Sequence, residues 1–494
     1  MARSMTGDNS PARRRALQGQ TLAGQGNVAL GEECLRLNPV NGTIASRVPA
    51  MTPAEARAMV NRAALAFLPW SQQPGSERGA ILRRAATLMQ QEAPRFGRLM
   101  QDEIGATPAW QRFNVRQAVW QLQVAADLAE TLVTEPAPDL SGRHFICREP
   151  VGVCLGIAPW NAPLALGVRA IATALACGNS VVLKASEICA GTQLLIAEVL
   201  AQAGLPQGVL NVVTHSPDQA EEVARILIAH EAVRRVNFTG SSRVGRFVAG
   251  VAAQHLKRCL LELSGKAPLV VLADADFEAA ADAAIYGAFL NQGQVCMSTD
   301  RVILPEDIAD HFADLLVDRA ARLHAGHAGE GAPTLGPVVS EAMAQRQQDL
   351  VEDACAKGAR LLCGGNRRGS FVEATVLDHV DPGMRVYHEE CFGPLLAICR
   401  AGSEEEAISL ANDCSFGLSA AVWSRDVPRA MQLARRIEAG ICHINAPTVI
   451  DRPDMPVGGI KDSGYGRFGG PAALDEFTET RWISIGHEGL DLRL

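Results

Sequence analysis

No apolar run in this chain approaches the roughly 20 residues needed to cross a bilayer. The first thirty residues hold no apolar core of the kind that marks a secretory signal, so neither a membrane span nor export is expected. CxxC pairs and metal-ligand spacings are missing too. The 13 cysteines are odd in number and scattered, which points to reduced thiols in a cytoplasm, with no disulfide framework and no metal. A strong excess of either charge is also missing: 46 basic and 54 acidic residues are interleaved, for a net charge of −8. Such a surface disfavours nucleic acid or an anionic membrane as the main partner. The one basic cluster, Arg13, Arg14 and Arg15, reads as a solvated tail. Internal repeats and low-complexity linkers are absent.

What remains is ordinary globular material in quantity. With 494 residues, 48% apolar and 20% charged, two or three domains are expected. In "MTPAEARAMVNRAALAF", Thr52 is placed as an N-cap, Pro53 as first helical residue and Glu55 as capping-box partner. A second long helix is predicted from about Ser76 to Glu103. From Pro150 the pattern becomes strand–helix alternation: "VGVCLGIAPW", then a helix over "APLALGVRAIATALACGN", then "SVVLKAS", "VLNVV", "VRRVNFTG" and "KRCLLELSG" with helices between them. Repeated βα units predict a parallel sheet with helices on both faces, and ligands in such sheets bind at the carboxyl ends of the strands. A second series runs from "APLVVLADAD" through "LLCGG", "LLAICR", "LSAAVWS" and "GICHIN". "GRHFICREP" and "FTETRWISIG" read as β-segments outside both series, either edge strands or an association device.

Five signals fall at strand ends or just beyond a helix. Asn161, in "PWNAP", can donate an amide hydrogen to a developing oxyanion, or simply form a turn between its two prolines. Lys184 and Glu187, in "VVLKASE", can hold two ribose hydroxyls, or belong to a solvated loop. Gly240 and Gly245 bracket the turn "FTGSSRVG", which is neither GxGxxG nor a Walker A loop but still offers backbone N–H groups at a helix start. Glu262 ends the apolar strand of "LLELSG"; partial desolvation would suit it to general-base work, and pairing with a cation is the alternative. Cys296, in "FLNQGQVCMSTDR", is a nucleophile if its thiolate is accessible, whereas free cysteines are usually inert core residues. Residue type and spacing leave that choice open.

The order of the motifs closes it. "PWNAP", "VVLKASE", "FTGSSRVG", "LELSGKAP", "NQGQVC", "EECFGP" and "MPVGGIKDSGYGR" together resemble the aldehyde dehydrogenase superfamily, from about Leu37 to Ile485. "HLKRCLLELSGKAPLVVLADAD", "GAFLNQGQVCMSTDR" and "GYGRFGG" are most similar to its salicylaldehyde and related aromatic branch, with vanillin- and benzaldehyde-type enzymes as neighbours. The resemblance implies two doubly wound α/β units and a small β-element. These are an NAD-binding domain (1–131 and 151–262), a catalytic domain (263–476) and an oligomerisation element (132–150 and 477–494) building a homodimer or homotetramer.

It further implies that Cys296 attacks the aldehyde as thiolate, with the oxyanion held by Asn161 and the Cys296 N–H. A thioester then forms with hydride passing to NAD, and Glu262 activates the water that hydrolyses it. Trp160, Lys184, Glu187, Gly240, Ser241, Gly245, Glu390 and Phe392 fall at the family's cofactor contacts; Trp110 and Arg169 fall at substrate positions in the aromatic branch. Two departures stand out: Ala185 follows the lysine where a proline is common, and Ala170 occupies the place of a relay lysine, with Arg169 just before it. Glu262 argues against a CoA-acylating relative, the intact Cys296, Glu262 and Asn161 against a non-catalytic structural relative, and the lack of a histidine close in sequence to Cys296 against a cysteine hydrolase.

Overall fold

The computed structural model describes residues 33–132, 135–136, 143–326 and 334–486. The Arg13–Arg15 cluster and the ends of the proposed first and last segments lie outside them. The helix Pro53–Ser71 starts as its sequence dictates: Thr52 Oγ1 accepts from the Glu55 N–H at 3.3 Å, and Glu55 accepts from the Thr52 N–H at 2.8 Å. The single helix expected over 76–103 is two, Gly75–Gln91 and Ala93–Ile104. Pro94 explains the break, because it has no N–H to continue the ladder and its ring crowds the turn before it. Trp110 lies in the first turn of the helix Pro108–Ala129, where its N–H donates to the Thr107 cap.

The first sheet has six strands in the order Gly464–Tyr465, Arg258–Glu262, Val233–Thr239, Val153–Ile157, Ser180–Lys184, Leu210–Val213. The last five are parallel. Sequence order reverses between Val153–Ile157 and Val233–Thr239, and that crevice is where a doubly wound sheet receives a ligand. Gly464–Tyr465 departs from the division drawn from the sequence. It falls inside 263–476 yet adds an antiparallel edge to the first sheet, opposite Leu261 and Glu262. Only glycine permits this approach, because a Cβ on Gly464, at φ +100°, would lie 2.2 Å from the Leu261 carbonyl oxygen.

The second sheet has seven strands, with Ala267–Val271, Thr299–Pro305, Leu395–Ala401, Ser419–Trp423 and Ile441–Ile444 among its parallel members. Arg360–Cys363, expected as part of the βα series, is an edge strand antiparallel to Thr375–Asp378. A third, three-stranded sheet joins Thr478–Ser484 to His144–Pro150 over seven residue pairs, with Glu135–Pro136 on the far edge. Trp482 is 70% exposed on it, beside exposed Ile483 and Ile146. No helix among the described residues is long and apolar enough to cross a membrane.

The helix expected over "APLALGVRAIATALACGN" is also divided, into Pro163–Arg169 and Ala172–Ala176. The Asn237 side chain donates to the Ala170 carbonyl at 3.0 Å and takes it out of the helical ladder. Asn161 lies just before the first of these helices, and Arg169 ends it.

Candidate active site

Cys296 follows the helix Phe277–Phe289 and a tight turn in which Asn291 and Gln292 both have φ above 50°. Such a left-handed pair is held by its surroundings. Asn291 Nδ2 donates to the Asn161 carbonyl at 3.2 Å, Gln292 Nε2 to the Pro337 carbonyl at 3.1 Å, and the Ser298 hydroxyl to the Gly293 carbonyl at 3.1 Å. Gly265 backs Cys296: a Cβ there would lie 2.2 Å from the Cys296 carbonyl oxygen. Cys296 is partly buried, and burial pushes its thiol up to about 12, with the Arg169 charge opposing.

The thiol is therefore matched with a proton acceptor. Cys296 Sγ donates to Glu262 Oε1 at 3.1 Å. The other carboxylate oxygen receives the Arg169 guanidinium and lies 3.4 Å from the Thr239 hydroxyl. Arg169 also faces Asp451 at 3.5 Å and sits 4.9 Å over the Phe468 ring. So Glu262 is both desolvated, at 1% exposure, and paired with a cation, which joins the two alternatives the sequence left open. Ala170, in the relay-lysine position, is packed against Gly156, and the charge beside Glu262 comes from its neighbour Arg169.

Asn161 is buried on the other side of the thiol. Its Nδ2 donates one hydrogen to the Gln294 carbonyl at 2.9 Å, which leaves the second amide hydrogen for a ligand. Trp110 Nε1 fixes the Asn161 backbone by donating to its carbonyl at 2.8 Å. The Trp110 indole stacks on Phe113, with ring centroids 4.6 Å apart and planes 6° from parallel. A cavity opens here. Trp110, Phe113, Leu166 and Val449 make its apolar wall, Cys296 and Glu262 its reactive side, and Arg169 and Asp451 its polar end. Phe113 and Asp451 were not singled out from sequence. Phe113 lies one turn from Trp110, but no pattern marks Asp451, which the fold brings in from far down the chain.

The remaining candidates gather at the crevice of the first sheet and its rim. Ser241 caps the helix Ser242–Gln254, accepting from the Val244 N–H at 3.4 Å, and the side chain stays exposed. Gly245 lets that helix close on Leu263, whose Cδ2 would lie 2.5 Å from a Cβ. Gly240 likewise has the Phe238 ring 2.5 Å from a Cβ position. Trp160 and Phe392 meet edge to face at 5.6 Å. Glu390 accepts from the Gly265 N–H at 3.1 Å, and burial pushes its carboxyl up to about 7. Lys184, at the end of its strand, is buried and hydrogen-bonds His215 at 2.6 Å; Glu187 is partly exposed beside it and accepts no hydrogen bond among the described residues. Free N–H groups at a helix start, a glycine turn without room for side chains, and an ammonium and a carboxylate at and just past the end of one strand form a donor set that fits a dinucleotide. Among the described residues no group of three or more His, Cys, Asp or Glu is placed to hold a metal ion.

Two largely parallel sheets, a crevice whose donor set fits a dinucleotide and a thiol hydrogen-bonded to a carboxylate together fit an oxidoreductase of the dehydrogenase class. The chain belongs to the aldehyde dehydrogenase family, whose sequence profile matches residues 29–483. A vanillin dehydrogenase of Pseudomonas fluorescens is 49% identical over 452 residues, 91% of this chain and 94% of that protein. A salicylaldehyde dehydrogenase of Pseudomonas sp. (strain C18) is 45% identical over 456 residues, with the same 91% and 94% coverage. The crystal structure of a salicylaldehyde dehydrogenase from Pseudomonas putida G7 complexed with salicylaldehyde superposes with a TM-score of 0.93 at 42% identity, covering 95% of this chain and 98% of that one.

Proposed function

We propose that this enzyme oxidises aromatic aldehydes to carboxylic acids and prefers NAD to NADP. The observation that carries the reading is the Cys296–Glu262 contact on the side of a cavity walled by stacked Trp110 and Phe113. A flat ring is matched by flat walls, and the single polar end, Arg169 and Asp451, suits a ring substituent or the product carboxylate. Relatives named for vanillin, salicylaldehyde and benzaldehyde support the same substrate class.

The residues divide the work by position. Glu262 accepts the Cys296 proton, and the thiolate adds to the aldehyde carbon. The second amide hydrogen of Asn161 and the Cys296 N–H hold the oxyanion. A bound nicotinamide dinucleotide supplies the hydride acceptor for the oxidation. Once it has released the thiol proton to solvent, Glu262 takes a proton from the water that attacks the Cys296 thioester, which frees the acid and leaves Cys296 as thiolate, while Arg169 balances the Glu262 charge. Lys184 and Glu187 meet the adenosine ribose, where Glu187 repels a 2′-phosphate; Gly240, Ser241 and Gly245 receive the pyrophosphate; Trp160, Glu390 and Phe392 line the nicotinamide end. The exposed Trp482, Ile483 and Ile146 make the small sheet the surface on which a homodimer or homotetramer assembles. Thirteen unpaired cysteines suit a reducing cytoplasm.

The test is a panel of salicylaldehyde, vanillin, benzaldehyde and hexanal with NAD or NADP and no CoA. Aromatic substrates with NAD should give the highest kcat/KM; a higher value for hexanal, or for NADP, overturns that part of the reading.

Three variants probe the parts. Asn161→Ala should lower kcat by about 10²–10³-fold, as loss of one oxyanion donor does, with little change in KM. A change in KM alone would make Asn161 a substrate contact or a turn residue. Trp110→Phe keeps a ring beside Phe113 but loses the bond to the Asn161 carbonyl. Through Asn161 it should slow hexanal and salicylaldehyde alike, whereas Trp110→Ala should cost salicylaldehyde several-fold more, the ~0.5–1.5 kcal/mol of ring stacking. Equal losses for both aldehydes in Trp110→Ala would reduce Trp110 to packing.

A further inference from the structure

His215 is absent from every motif discussed so far, yet its buried side chain is hydrogen-bonded to Lys184 at the end of the neighbouring strand. It lies two residues past the strand Leu210–Val213 and is 1% exposed. Its Nδ1 lies 2.8 Å from the Ser216 carbonyl oxygen, which can only accept, so Nδ1 carries the proton. In the neutral ring Nε2 is then an acceptor, and Lys184 Nζ donates to it at 2.6 Å. Burial and the Lys184 charge both push the imidazole pKa down and so favour that neutral form. Burial also draws the Lys184 ammonium down to about 8, with Glu187 opposing.

The backbone holds this pair in register from both sides. The Ala185 N–H donates to the Val213 carbonyl at 2.9 Å and continues the ladder one residue past Lys184. A proline at 185, common in the family, has no hydrogen to give. Thr214 is fixed on its other face, its carbonyl accepting from the Met51 N–H at 3.0 Å and its hydroxyl donating to the Pro49 carbonyl at 2.5 Å. The departure at Ala185 and the histidine at 215 thus belong to one local arrangement.

We propose that His215 is a positioning residue for dinucleotide selection, acting through Lys184 to favour NAD over NADP. The inference rests on the reading of Lys184 and Glu187 as ribose contacts. Of the three Lys184 donors, one is committed to His215, and the others are free for neutral ribose hydroxyls. A 2′-phosphate makes a stronger demand on the ammonium. Drawing Lys184 onto the phosphate strips His215 Nε2 of its partner and leaves a buried imidazole nitrogen unsatisfied, a penalty that NAD does not incur. Glu187 repels the same phosphate from the partly exposed side, so the two residues discriminate by different means: Glu187 by charge, His215 by withholding the cation.

The test measures binding rather than turnover. Dissociation constants for NAD and NADP are obtained by quenching of tryptophan fluorescence in the enzyme without aldehyde. His215→Asn keeps a donor for the Ser216 carbonyl but is too short to reach Lys184; it should lower the ratio Kd(NADP)/Kd(NAD) about tenfold, the scale of one unsatisfied buried acceptor. His215→Gln places an amide near the Nε2 position and should restore most of the wild-type ratio. The melting temperature of each variant reports folding separately, and a purely structural role would raise both constants by the same factor. An unchanged ratio in His215→Asn, or equal weakening of both dinucleotides, overturns the inference. Lys184→Met separates this from the underlying reading: if it leaves both constants unchanged, the ribose assignment fails, whereas a clear effect there with a silent His215→Asn removes only the role of His215.

Discussion

Cys296→Ala is expected to lower NADH formation by more than about 10⁴-fold while NAD still binds within about twofold of the wild-type affinity. Among the described residues Cys296 is the only thiol lining the cavity beside Trp110 and Phe113. On the proposed mechanism the variant removes the atom to which the aldehyde carbon bonds, and water cannot replace it, because the thiohemiacetal is also the species from which hydride leaves. The cofactor crevice is built by other elements, at the ends of the first sheet, so its affinity should survive. Ser in place of Cys puts an oxygen near the same acceptor, Glu262, but a hydroxyl holds its proton far more tightly than a thiol. Even a thiol pushed up to about 12 is easier to ionise than that. Stopped-flow absorbance with salicylaldehyde and fluorescence titration with NAD check the two halves. Turnover near the wild-type rate in Cys296→Ala would end the assignment of the nucleophile.

The candidate reactive residues stood out because each sits in a short contiguous motif at a strand end or in a tight turn: Asn161 after Val153–Ile157, Glu262 as last residue of Arg258–Glu262, Cys296 in its polar turn. The Thr52–Glu55 cap was legible for the same reason, since both partners lie three residues apart. What the sequence concealed is pairing across distance. Nothing near Arg169 announces that its guanidinium will meet Glu262, 93 residues away, nor that Asp451 will close the far side. Without that partner Glu262 read as either an isolated base or half of an ion pair, and the fold makes it both. Lys184 and His215 are 31 residues apart on neighbouring strands, so their contact depends on strand order, which βα alternation does not specify.

Strand direction was hidden as well. "LLCGG" has the apolar run of a βα strand, yet at a sheet edge the same run serves an antiparallel neighbour. Gly464–Tyr465 is two residues long, too short to leave a periodic signal, and its place is set by the empty space at Gly464. The break at Pro94 was available in the sequence: a proline in the middle of a predicted helix should divide it, whatever the amphipathic pattern on either side.

Glu262→Gln carries the second large effect, a fall of about 10²–10⁴-fold in steady-state turnover. The geometry indicates why both halves of the reaction feel it. In the native side chain one oxygen lies 3.1 Å from Cys296 Sγ and the other receives Arg169. A glutamine has one acceptor and one donor end. Arg169 and Thr239 are best met by the carbonyl oxygen, since the guanidinium only donates; that turns the NH₂ group toward the thiol. The variant then offers Cys296 no proton acceptor at the moment of attack and offers the hydrolytic water none later. Loss of the anion also leaves Arg169 with Asp451 as its one remaining carboxylate partner in the site. Hydrolysis should suffer more than acylation, because the thiol can lose its proton to solvent before substrate arrives, whereas the water must be activated while the acyl group fills the cavity. Rapid mixing should therefore show a slowed NADH burst of about one equivalent per site, followed by a much slower steady rate. A burst at the wild-type rate confines Glu262 to hydrolysis. A vanished burst makes thiol activation its larger role, and an unchanged steady rate removes it from the chemistry altogether.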